Sequence, residues 1–68
     1  MRDRRPEYLR QIEDCVRTWP ALGRAKRLGL TEVRLAQLLA RNVDAFTIEE
    51  IAYIGSRTGV AVWLPMQP

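Results

Sequence analysis

Between residues 8 and 19 the apolar side chains fall at Tyr8, Leu9, Ile12, Val16 and Trp19, the three-and-four spacing that lines one face of an α-helix. Arg10, Glu13, Asp14 and Arg17 fill the positions between them as a polar face. Pro6 suits a first helical turn, where its missing N–H is no loss, and Pro20 disfavours helical geometry at Trp19. The pattern predicts a first helix over 6–18, with Cys15 beside its apolar stripe. A short second helix is predicted over 20–27, opened by Pro20, with Ala21, Leu22 and Ala25 inward and Gly29 as its stop. Thr31 is an N-cap for a third helix over 32–41, which places Leu35, Leu38 and Leu39 on one face and ends at Asn42, a tolerable left-handed terminator. Thr47-Ile48-Glu49-Glu50 has the Thr-x-x-Glu spacing of a capping box. It starts a fourth helix buried through Ile48, Ile51, Ala52 and Ile54 and closed by Gly59.

The tail breaks the helical period. Val60-Ala61-Val62-Trp63-Leu64 is β-branched and aromatic, is closed by Pro65, and reads as a strand with no second strand in the chain to pair with. An unpaired strand exposes a row of backbone donors and acceptors, so it pairs most economically with its own copy across a two-fold axis. A frayed tail, or a strand-like segment folded onto its own helices, is the alternative. Length points the same way: 68 residues make one domain, and a domain this small buries only about 60% of its unfolded surface. Cys15 is the only cysteine, which excludes an internal disulfide, and with no histidine the chain lacks the ligands of a tetrahedral zinc site. Self-association is the remaining route to stability. A homodimer is therefore expected, with Val60, Ala61, Val62, Trp63 and Leu64 at its interface.

Charge changes the picture through its placement. Residues 1–41 hold ten of the eleven basic side chains (Arg2, Arg4, Arg5, Arg10, Arg17, Arg24, Lys26, Arg27, Arg34, Arg41) against five acids. Residues 42–68 hold Arg57 against Asp44, Glu49 and Glu50. A basic part joined to a mildly acidic one suits a polyanion-binding module attached to an oligomerising one, and residues 1–5 form a basic N-terminal arm. No stretch approaches the ~18 apolar residues of a membrane span, and the charged start is not followed by an apolar signal core. A lone cysteine fits a reducing compartment, so a cytoplasmic protein is expected. There is no histidine base, glycine-rich phosphate loop or spaced carboxylate cluster, so neither an enzyme nor a cofactor or metal site is expected.

The most informative stretch is ALGRAKRLGLTEVRLAQLL, from residue 21 to residue 39, with the spacing Ala25-x3-Gly29-x5-Leu35-x2-Leu38. Two helices crossing around a 3–4-residue turn come closest at Ala25, where a larger side chain would push them apart. Gly29 opens the turn, and Leu30, Leu35 and Leu38 fill the space beneath the crossing. Together with RLAQLLARNVDAFTIEEIAYIGSRTGVAVWL, from Arg34 to Leu64, the segment 19–64 resembles the XRE (Cro/C1-type) helix-turn-helix family. Within it the chain is most similar to the compact HigA-like antitoxin and phage-regulator branch. The resemblance implies an all-α domain of four to five helices, with the helix-turn-helix over 20–40 and a C-terminal strand over 60–64 that pairs across a dimer. It further implies a DNA-binding transcriptional regulator, a repressor of its own or a neighbouring operon, that binds an inverted-repeat operator in double-stranded DNA. An antitoxin-type protein that neutralises a partner toxin and autoregulates its operon shares this fold and is the second reading.

On the third helix, Arg34 can reach guanine O6 and N7 bidentately and Gln37 suits adenine N6 and N7. Thr31 and Val33 are positioned to meet a phosphate or a thymine methyl, and Glu32 either to accept from cytosine N4 or to repel phosphate. Arg24, Lys26 and Arg27 on the second helix, with Arg41, are the expected phosphate contacts, which give affinity and salt dependence rather than sequence choice. The chain departs from the family at Ala21, where a polar phosphate contact is common, and at Glu32, where Gln or Ser is common. Trp19 and Phe46 are expected as core anchors and Cys15 as a small core residue.

Overall fold

A computed structural model of the chain describes residues 3–62. Four α-helices follow one another: α1 (Arg5–Arg17), α2 (Arg24–Leu28), α3 (Glu32–Leu39) and α4 (Ile48–Thr58), with a 3₁₀ turn at Val43–Ala45 before α4. Among the described residues there is no strand, and the architecture is all-α. No helix among them is long and apolar enough to cross a membrane.

The stripe read from the sequence is the stripe that is buried. Leu9, Ile12 and Val16 of α1 meet Leu38 of α3, Ile51 and Ile54 of α4 and the ring of Phe46 in one apolar cluster. α1 lies across α4, α3 and the 3₁₀ turn, while α2 packs on α3 and α4. The capping box forms as its spacing requires: Thr47 Oγ1 accepts from the Glu50 N–H, and Glu50 accepts from the Thr47 N–H. Gly59 ends α4 in the left-handed region, at φ 81°.

Three boundaries differ from expectation, each for a local reason. α2 begins at Arg24 rather than at Pro20, because Gly23 takes a left-handed φ of 87° that an ongoing helix cannot contain. Residues 20–23 therefore form a turn; Ala21 is exposed, Leu22 is 95% exposed, and Leu28 takes the inward position instead. α3 stops at Leu39, and Arg41, not Asn42, occupies the left-handed position at φ 55°. The N–H of Arg41 bonds the Leu38 carbonyl and that of Asn42 bonds the Gln37 carbonyl, a Schellman closure. Arg5, expected as the last residue of the arm over 1–5, is instead the first residue of α1. Its guanidinium bonds Asp3 and, at 2.9 Å, the Phe46 carbonyl.

The described part of the expected strand, residues 60–62, forms none within the chain. The Val60 N–H donates to the Gly55 carbonyl at 3.1 Å, and Val60 and Val62 lie partly buried against the core while Ala61 is exposed. Gly55 makes this close return possible: a Cβ there would stand 2.7 Å from the Val60 carbonyl oxygen and 2.8 Å from Val62 Cγ2. Residues 60–62 thus rest on their own helices, while Trp63 and Leu64 lie outside the described residues.

A buried carboxylate ties α3 to α1. Glu13, 3% exposed, accepts from Arg17 Nε at 2.8 Å through one oxygen and from Arg41 Nε through the other. Left-handed backbone at a non-glycine costs roughly 1–2 kcal/mol, and this ion pair offsets the cost at Arg41. The hydrogen bonds from Arg41 and then Arg17 hold the Glu13 carboxyl below its ordinary value of 4.5. A carboxyl whose folded pKa is depressed adds stability above its unfolded pKa, and that stability is lost as pH falls through the folded value. Urea unfolding followed across pH should show stability declining on acidification below about 4.5, and Glu13→Gln should flatten part of that decline. An unchanged profile in the variant would mean that Glu13 contributes none of it.

Candidate nucleic-acid interface

α2, the turn at 29–31 and α3 form a compact unit whose parts have separable reasons. Ala25 is 3% exposed, and its small side chain lets α2 and α3 approach closely. Gly29 adopts φ +72°, and a Cβ there would stand 2.7 Å from the Tyr53 hydroxyl, so both backbone and space require glycine. The Leu30 N–H closes the turn on the Ala25 carbonyl at 2.8 Å. Thr31 then caps α3, its Oγ1 accepting from the Arg34 N–H at 3.1 Å. The Thr31 side chain is exposed, which leaves its hydroxyl proton available to donate outward.

Leu35 and Leu38 fix the inward face of α3. The opposite ridge runs Val33, Ala36, Gln37, Ala40, the i, i+3, i+4, i+7 spacing of one helix face. Val33 is 69% exposed, Ala36 and Ala40 are exposed and Gln37 is half-buried, while Glu32 stands exposed on one flank. Ala36 and Ala40 were not among the expected site residues. The signal for them was present in the sequence, three and seven positions beyond Val33.

Arg34 lies on the other flank and turns toward α4. Its Nη1 donates to the Ala45 carbonyl at 2.7 Å and to Gln37 Oε1 at 2.8 Å. Its Nη2 donates to Glu50 Oε2 at 2.7 Å, and the guanidinium stacks 4.2 Å from the centroid of the Phe46 ring. The side chain expected to reach guanine is thereby engaged within the fold. Gln37, expected to read adenine, accepts from Arg34 through its amide oxygen, and its N–H donors have no partner among the described residues. Glu50 is held below the ordinary carboxylate range, first by the Thr47 backbone N–H and then by the charge of Arg34.

The expected phosphate contacts divide in the same way. Arg24 reaches back to the carbonyls of Trp19, at 2.8 Å, and Arg17, closing the C-terminal end of α1. Arg41 is held by Glu13. Arg27 is exposed and stacks 3.9 Å from the centroid of the Trp19 ring. Lys26 is exposed and has no partner among the described residues. Beside the turn, Leu30, Phe46, Glu49 and Tyr53 line an open groove of about 370 Å³. Comparison of the chain with protein-family profiles, with curated proteins and with solved structures gives no match.

The position of Arg34 has a consequence for stability. Hydrogen bonds to charged groups contribute about 1.5–3 kcal/mol when buried, less when partly solvated. Arg34→Ala should therefore lower unfolding free energy by about 1–2 kcal/mol in urea titration. Arg34→Lys should recover little of it, because an ammonium cannot reproduce the flat fork over Phe46. A variant as stable as the parent would show that the side chain is not a strut.

Proposed function

We propose that the chain is a sequence-specific DNA-binding regulator of the helix-turn-helix type, with α3 as the recognition helix. The observation that carries the reading is the outward ridge of α3. It is turned away from the core beside the exposed Lys26 and Arg27 of α2, behind a three-residue turn opened by Gly29. Such a ridge enters a major groove, while cations on the preceding helix meet phosphate oxygens. The Thr31 hydroxyl at the start of α3 is placed to donate to a backbone phosphate. Lys26 and Arg27 supply affinity that falls with salt.

The proposed working form is a homodimer that represses its own or a neighbouring operon through an inverted repeat. Burial alternates over Val60, Ala61 and Val62, partly in, out, partly in, which is the two-residue period of an extended segment. Its outer edge offers backbone groups to a second copy, and a core this small gains from one. Two recognition helices across a two-fold axis lie ~34–36 Å apart, which sets half-site centres about 10–10.5 base pairs apart or a multiple of that.

Selection from random duplexes with the full chain should enrich an inverted repeat of this spacing. On that site Lys26→Ala should weaken specific and random duplexes alike and reduce the slope of log K against log salt by about 1. Enrichment without a dyad removes the symmetric dimer, and no enrichment at all removes the DNA-binding reading.

A further inference from the structure

The ridge of α3 carries no charge and a single polar group. From Val33 to Ala40 it spans ~10 Å at 1.5 Å per residue, the rise of about three base pairs. Its surface is the branched side chain of Val33, the methyl groups of Ala36 and Ala40, and the amide of Gln37. Arg34, the one side chain on α3 with a guanidinium fork, is withdrawn to Ala45, Gln37 and Glu50. The same contact draws Gln37 Oε1 toward Arg34, while the two N–H donors of the amide have no partner among the described residues.

Among the four bases only thymine matches this surface on a single edge. Its major-groove edge sets an acceptor, O4, beside an apolar 5-methyl group. Guanine offers two acceptors and no methyl, cytosine offers a donor, and adenine asks its partner to accept as well as donate. The small side chains at 36 and 40 let the helix backbone lie close to the base edges, and Val33, 69% exposed, has apolar surface to bury.

We propose that α3 reads thymine, with Val33 and Ala36 against the 5-methyl groups and the Gln37 amide donating to O4, and with Arg34 as a positioning residue that turns the amide outward. This rests on the DNA-binding reading and replaces the guanine and adenine contacts expected from the sequence.

The experiment takes the duplex that random selection enriches and replaces each thymine in turn by deoxyuridine, which removes only the methyl group. Burying one CH₂-sized group contributes a factor of about three to five in affinity. Uracil at one or two positions per half-site should therefore weaken binding about three- to fivefold, and elsewhere should change nothing. Val33→Ala, at an exposed position that the fold does not need, should weaken the thymine duplex more than the uracil duplex and so shrink that difference. Equal affinity for the thymine duplex and for one with uracil throughout overturns thymine reading and leaves the DNA-binding reading standing. If selection yields no preferred duplex, both fall.

Discussion

The guanidinium of Arg34 ties α3 to the following linker and to α4. Arg34 leaves α3, lies over the Phe46 ring, and bonds the Ala45 carbonyl on one side and Glu50 on the other. The next carbonyl along, that of Phe46, receives Arg5 from the start of α1. The linker between α3 and α4 is thus held at successive residues by two arginines from different helices, with its aromatic ring 2% exposed beneath them. Leu35 and Leu38 fix how α3 is rotated, and Arg34 fixes it against α4. What α3 turns outward follows from these contacts: Val33, Ala36, Gln37 and Ala40.

Much of the basic character serves the fold. Arg17 and Arg41 share Glu13, Arg24 closes the end of α1, Arg27 stacks on Trp19, and Arg57 donates to the Tyr53 hydroxyl at 2.8 Å. A chain with so small a core gains from long side chains whose guanidinium heads both cover aromatic rings and satisfy carbonyls. The cations left exposed for a polyanion are correspondingly few on the α2–α3 face, with Lys26 foremost.

The helices and most of the core were legible because period and caps are local. The α1 stripe, the capping box at Thr47 and the stops at Gly29 and Gly59 follow from chemistry within a few residues of each site. The start of α2 was not legible, since Pro20 and Gly23 are both compatible with opening a helix and only packing decides between them. The same holds for Arg41: its left-handed backbone is tolerated because of Glu13, 28 residues away in sequence. At the candidate interface, spacing identified α3 and its capping Thr31. It could not tell to which flank the long side chain of Arg34 swings, because that depends on Ala45 and Glu50 across the linker. The outward ridge was visible in the sequence at Val33, and helical spacing carries it on to Ala36 and Ala40, although alanine has no chemistry of its own that would single it out.

On the proposed reading duplex DNA meets the ridge of α3, and not the Tyr53 groove. Amide chemical-shift mapping of the full chain titrated with a selected duplex tests it most directly. Perturbations should concentrate at Lys26, Thr31, Val33, Ala36 and Gln37, and the Arg34 side-chain resonances should keep the signature of their bonds to Ala45 and Glu50. Perturbations centred on Leu30, Glu49 and Tyr53, or an Arg34 released from Glu50 on binding, would contradict it.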